Sequence, residues 1–159
     1  MMKTLTLQPI TDAAFAPFGQ VLRAPAVGRP RLDLIEEMQN LRAAARLRLS
    51  VSSVAATQLP LTIERLERHV YSSQAFLPLA CQGYLVVVAP HRLDGQPDLE
   101  ALRAFSVPED HCINYRADTW HHPFTALHGP ASFAVLTFVA GAPEDDRFAP
   151  LPEPIRIVA

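Results

Sequence analysis

The chain has 159 residues, 49% of them hydrophobic and 19% charged, with a formal net charge of −2. This length suits one domain, 1–159, with its own core, and the composition excludes a disordered chain. The near-neutral charge leaves no basic footprint, so no nucleic-acid partner is expected. Fifteen prolines against six glycines exclude a bundle of long helices, because proline is barred from helix interiors and central strands. The longest apolar run, Tyr84 to Pro90, is far short of the about 20 residues that span a bilayer, and no membrane partner is expected. Met1-Met2-Lys3-Thr4-Leu5 lacks the apolar core of a signal peptide. A cytoplasmic location follows as the expectation, with Cys81 and Cys112 as reduced thiols that lack a CxxC partner.

In chain order, Thr11-Asp12 before Ala13-Ala14-Phe15 predicts a short N-terminal helix, ended by Pro17-Phe18-Gly19. Residues 20–23 read as a strand. Residues 32–45 leave helix and strand both open: Leu34, Ile35, Met38, Leu41 and Ala45 have helical spacing, but nothing else decides. Over 46–52 the period becomes two, with Leu47, Leu49 and Val51 alternating with Arg46, Arg48, Ser50 and Ser52, the pattern of a half-buried strand. Arg42, Arg46 and Arg48, with Glu36 and Glu37 upstream, read as a solvated face. Leu61 to His69 reads as a strand at a pocket wall. Gln74 to Leu79 and Tyr84 to Ala89 follow, the latter apolar enough to be central. Asp94-Gly95 marks a turn, and Pro97 to Ala101 one helical turn. Leu102 to Val107, Ile113 to Tyr115, Trp120 to Leu127 and Phe133 to Val139 complete the strands, with a turn at Gly129-Pro130. Residues 142–159 are expected to form a C-terminal surface loop to Pro154 and then an edge strand, Ile155 to Val158, in cis or on a second subunit. Many short strands broken by Pro and Gly predict a mainly β sandwich or barrel.

Three of the six histidines stand out. His121 and His122 are adjacent, so on a strand they point to opposite faces, and Glu67 and His69 share a face by the two-residue period. Trp120 and Pro123 place the double histidine in an apolar setting where imidazole pKa values shift readily. His91, His111 and His128 lie in loops or at strand ends and read as structural. Glu67, His69, Gln74 and His121 form a set in which a strand pair is joined some fifty residues on by a second histidine strand, the arrangement by which cupin barrels assemble a site.

Leu66-Glu67-Arg68-His69, Ser73-Gln74-Ala75-Phe76-Leu77-Pro78-Leu79, Asn114-Tyr115 and Trp120-His121-His122-Pro123 together resemble the ureidoglycolate lyase family, also called ureidoglycolate hydrolases. The likeness extends from Ala14-Phe15-Ala16-Pro17-Phe18-Gly19 through Pro97-Asp98-Leu99 and Leu102-Arg103-Ala104-Phe105. It implies a cupin-like β-barrel (a double-stranded β-helix) with the N-terminal helix and one or two further short helices, forming a homodimer. It also implies a carbon–nitrogen lyase of the amidine-lyase type, splitting ureidoglycolate into glyoxylate and urea in allantoin breakdown. Under that resemblance His69, His121 and Glu67 are the catalytic candidates, and Gln74, Arg68, Arg103, Tyr115, Trp120 and His122 the substrate-binding ones. No cofactor is expected; a divalent metal, if present, falls to Glu67, His69, Gln74 and His121. Segments Gly28-Arg29-Pro30-Arg31, Ser52-Ser53 and Thr137 to Gly141 depart from the family pattern, which carries arginines at the second and third. Arg46, Arg48 or Arg103 is then expected to compensate. The alternatives are a metal-dependent cupin enzyme acting on another small acid, and a non-catalytic small-molecule-binding cupin.

Overall fold

A computed structural model describes residues 2–159; Met1, part of the expected domain and of the N-terminal stretch, lies outside the described residues. The strands in chain order are β1 (Thr4–Thr6), β2 (Gln8–Pro9), β3 (Gly19–Arg23), β4 (Arg46–Val54), β5 (Ala56–Thr57), β6 (Leu61–Arg68) and β7 (Gln74–Ala80). They continue with β8 (Tyr84–Ala89), β9 (Arg103–Val107), β10 (His111–Tyr115), β11 (Trp120–His121), β12 (Thr125–Leu127), β13 (Ala131–Val139) and β14 (Arg147–Val158). The short helix α1 (Asp12–Phe15) begins where Thr11 was expected to cap it, the hydroxyl accepting from Ala14 N. One further helical turn, of 3-10 type, covers Pro143–Asp145.

Two sheets form the molecule. One has nine strands and follows β1-β14-β6-β11-β8-β12-β5, with β9 on β8 and β2 on β9; the other has five, in the order β3-β10-β7-β13-β4. β1 and β2 flank Leu7, and they pair in parallel with β14 and β9 respectively. A single N-terminal stretch thus joins both ends of a strand path, and the larger sheet closes on itself. Its bore is filled by Ile63, Leu66, Val87, Trp120, Ile155 and Ile157. A second core, with Phe15, Phe76, Tyr84, Val86, Phe105 and Phe133, lies between the two sheets. Strand β8 serves both and is buried throughout, as its unbroken apolar run requires. The mainly β, cupin-like barrel expected from the sequence is the architecture observed.

Several segments differ from expectation. Residues 32–45 are neither helix nor strand. Their backbone groups bond instead to the entry of β7: Ser73 N donates to Gln39 O, Leu41 N to Tyr71 O and Gln39 N to Ser73 Oγ. Residues 97–101 form turns, with Glu100 N donating to the Asp98 side chain. Trp120 to Leu127 is two strands, β11 and β12, both paired with β8 and separated by residues 122–124, which belong to no strand. The tail is no loop beyond residue 146: β14 runs from Arg147, and Ile155 to Val158 is not an edge, since it lies between β1 and β6. Pro152 and Pro154 fall in the stretch between Pro150 and Ile155 where the register to β6 shifts, the kind of irregularity at which proline is tolerated in a sheet. On β4 the alternation holds with the opposite sense. Leu47, Leu49 and Val51 are exposed; Arg46, Arg48, Ser50 and Ser52 share the other face with Val139, Thr137, Val135 and Phe133, the two serines half-buried and the two arginines at the strand's start exposed.

Candidate functional site

His121 on β11 lies directly opposite Glu67 on β6, which turns both side chains toward the space between the sheets. His121 Nε2 stands 3.5 Å from Glu67 Oε1, and the His69 ring lies 5.2 Å from the His121 ring. Glu67, His69 and His121 each offer one donor atom, all within 4.8 Å of one another. Tyr115, on β10 of the facing sheet, stacks on His121 at 4.3 Å and 18°, locking the ring plane. The cluster is nearly sealed: His121 is 1% exposed and His69 8%. Solvent reaches it past Glu67 and the half-exposed Asp146.

The two imidazoles are held in the same way. His121 Nδ1 lies 2.8 Å from Thr119 O, and His69 Nδ1 lies 3.1 Å from Asp145 O and 2.9 Å from Asp146 Oδ1. A carbonyl oxygen only accepts, so each Nδ1 carries a proton, and a ring in its neutral form then presents a bare Nε2 lone pair. Both Nε2 atoms are buried without a hydrogen-bond partner, as are Gln74 Oε1 and Tyr115 OH. Buried polar atoms left unpaired cost free energy and mark a place built for something else to bond.

Electrostatics set the protonation states. Burial works to raise the Glu67 carboxyl, but contact with His121 and the charges of His69 and His122 hold it below the ordinary carboxylate value. Burial, followed by repulsion from His121, pulls His69 below the ordinary imidazole value. Burial lowers His122 as well and pushes the Tyr115 phenol far up, so that it stays a neutral donor. The resulting site holds one carboxylate and two imidazoles whose Nε2 atoms have no hydrogen-bond partner. That set can accept and return a proton, and it equally suits a divalent ion, whose histidine ligands are oriented in just this way through the other nitrogen.

The structure brings some of the sequence-predicted residues together and holds others apart. Gln74 shares a rung with Tyr115 and Thr137 on the inward face of the smaller sheet. His122 is half-buried, with Nδ1 3.4 Å from Arg65 O, close enough for Glu67 to feel its charge. Arg68 pairs with Asp118 at 3.0 Å and lies 4.5 Å over the Trp120 ring. Trp120 fills the bore of the larger sheet and donates to Gly95 O. Arg103 reaches Ala14 O and lines a separate cleft of about 420 Å³ with Leu5, Gln8 and Phe105. His91 and His111 sit in surface networks with Asp118 and with Arg23 and Asp110.

Sequence reasoning missed the segment that steers His69. The Asp145 carboxylate accepts from Ala140 N, Gly141 N and Ala142 N and pairs with Arg42. Burial works to raise Asp145, but these donors hold it down at about 2. The carboxylate thus folds the 140–146 loop, and the loop's own carbonyl meets His69. Adjacent acids in a Pro-rich tail gave the one available signal, and the tail was expected only as a surface loop.

Comparison with known proteins bears on the same residues. A family model described as Ureidoglycolate lyase matches residues 2–157. A curated relative named ureidoglycolate lyase, from Azotobacter vinelandii, is 34% identical over 154 residues, 92% of each chain. Two more of that name, from Pseudomonas syringae pv. syringae and Burkholderia mallei, are 34% and 35% identical over 143 residues, covering 85% of this chain and 83% and 82% of theirs. A solved dTDP sugar isomerase from Desulfovibrio desulfuricans superposes with a TM-score of 0.48 at 19% identity, over 85% of this chain and 83% of that one.

Proposed function

The chain belongs to the ureidoglycolate lyase family, and from that premise we propose that its Glu67–His69–His121 cluster cleaves ureidoglycolate to glyoxylate and urea. The reaction is that of a carbon–nitrogen lyase of the amidine-lyase type. The substrate is a carbinolamide. Removing its hydroxyl proton lets the carbon–oxygen double bond form as the carbon–nitrogen bond breaks, and the departing nitrogen takes up a proton to give urea. No water is consumed. One histidine Nε2 takes the hydroxyl proton, the ionised Glu67 between the rings stabilises the imidazolium, and that imidazolium returns the proton to nitrogen. Gln74 Oε1 accepts from a ureido N–H, and the neutral Tyr115 hydroxyl donates to the growing carbonyl. The observation that carries this reading is the pair of buried, unpartnered Nε2 atoms beside one carboxylate. A coupled glyoxylate assay tests it: turnover is expected with and without chelator, and absence of turnover between pH 6 and 9 under both conditions refutes it.

The same donors favour a second reading of the cofactor. Glu67, His69 and His121 fit a divalent ion, with Gln74 as a fourth, weaker ligand, and such an ion would act as a Lewis acid on the substrate oxygen. Loss of turnover on chelation, with restoration by one added metal and stoichiometric metal in the purified protein, selects this reading over the metal-free one.

The homodimer belongs to the same proposal. Leu47, Leu49, Val51 and Leu79, all more than half exposed, lie on the smaller sheet. An apolar sheet face of this kind is ordinarily covered. Leu49→Glu is expected to turn a dimer into a monomer by light scattering; a wild-type monomer refutes it. A cytoplasmic location suits the two free thiols and the small-molecule substrate. No helix among the described residues is long and apolar enough to cross a membrane.

A further inference from the structure

Ureidoglycolate carries a carboxylate, and the cluster it would enter already holds the Glu67 carboxylate. Two like charges in a sealed site repel, so a cation must face the same space. Most nearby arginines are otherwise engaged. Arg42 pairs with Asp145 and Arg68 with Asp118, while Arg103 and Arg116 bond backbone carbonyls of α1 and the residues just after it. Arg65 lies over the Phe148 ring. Two arginines of β4, Arg46 and Arg48, are exposed, lie opposite Val139 and Thr137, and have no ion pair among the described residues.

Register separates these two. Arg48 is opposite Thr137, Thr137 is opposite Gln74, and Gln74 is opposite Tyr115, the residue stacked on His121. Residues directly opposite across a ladder share a face, so this rung runs from Arg48 to the ring that locks His121. With strands about 4.8 Å apart, the Arg48 Cα lies roughly 10 Å from that of Gln74, a span that an extended arginine side chain and a small substrate fill together. Arg46 belongs to the next rung on the same face, opposite Val139, toward the 140–146 loop. We propose that Arg48 is the residue that binds the substrate carboxylate, its guanidinium reaching along the rung while Gln74 meets the ureido end. The assignment rests on the lyase reading for the identity of the substrate, but the carboxylate site can be tested apart from turnover.

The experiment measures oxamate binding by calorimetry and ureidoglycolate turnover by the coupled assay, for wild type, Arg48→Ala, Arg48→Lys, Arg46→Ala and Arg65→Ala. Loss of a charge-assisted bond predicts at least about tenfold weaker oxamate binding and a KM raised by a similar factor in Arg48→Ala. The kcat is expected to change far less, and Arg48→Lys to recover part of the binding. Arg46→Ala and Arg65→Ala should leave both quantities near wild type. Wild-type protein that does not bind oxamate, undiminished binding in Arg48→Ala, or a loss that follows Arg46 or Arg65 instead overturns the proposal. Oxamate binding that depends on Arg48 without any turnover of ureidoglycolate upholds the carboxylate site and removes the lyase reading. Turnover with an unchanged KM in Arg48→Ala does the reverse.

Discussion

Replacing Asp145 by Asn separates the two roles of the 140–146 loop, its own stability and its hold on His69. The carboxylate titrates at about 2 rather than 3.8, and a shift of about 1.8 units corresponds to roughly 2.5 kcal/mol as a ceiling. Its side chain is 11% exposed and that of Arg42 18%, so solvent screening brings the expected loss in Asp145→Asn to about 1–2 kcal/mol at pH 7. The sign follows from the depressed folded value. The contribution is complete above the unfolded pKa and disappears as pH falls through the folded one, with about half gone by pH 3. Urea unfolding at pH 7, 5 and 3 measures it as the gap between wild type and variant. A gap below about 0.3 kcal/mol at pH 7, or one of full size at pH 3, refutes the assignment of this stability to the Asp145 carboxylate. The functional counterpart is a lower kcat, because the Asp145 carbonyl that fixes the His69 proton on Nδ1 moves with the loop.

His121→Ala removes a proton-transfer group, and kcat is expected to fall by about 10²–10⁴ in the glyoxylate assay with the fold intact by circular dichroism; a loss under threefold contradicts its role. In the metal-free reading His69 works unprotonated, and its lowered pKa places the acid limb of kcat/KM below pH 6.5. A limb at or above 6.5 would assign the titration to another group. Phe133→Ala, at the aromatic contact with Tyr84 and Phe76, should cost about 3–5 kcal/mol in urea unfolding. A cost under about 1 kcal/mol would show that the space between the sheets collapses around the missing ring.

The strands were legible wherever a two-residue period ran between prolines or glycines, and β6 through β8 fall within a residue of their expected bounds. Period reveals that a strand has two faces but not which one is inward. Arg48 and Leu49 on β4 show the difference, since only the register to β13 reveals that the arginine, though exposed, shares the face of the buried Thr137. Segment 32–45 offers helical spacing, yet its hydrogen bonds go to Tyr71 and Ser73, partners that no local pattern announces. In the tail, proline suggested a loop, although the register shift of β14 takes up Pro152 and Pro154 within a strand. At the site, Glu67, His69 and His121 were visible because two of them share a strand and the third lies in a histidine pair. Asp145 and Asp146 were not, because what they offer His69 includes a backbone carbonyl, available in principle from any residue and assigned only by the fold.

The self-closing of the larger sheet also sets an order of events in folding. Thr4 to Thr6 must find Arg156 to Val158, and Gln8-Pro9 must find Phe105-Ser106, so the ring is sealed by contacts spanning nearly the whole chain. Loop-closure entropy makes such pairings late and slow, whereas the β13–β4 and β10–β7 ladders can assemble without them. Until the N-terminal stretch docks, β9 and β14 each present a free ladder of N–H and C=O groups, the form of edge that recruits strands from other chains. Thr4 to Pro9, which move no proton of the reaction, thereby decide whether a nascent molecule remains solitary long enough to finish.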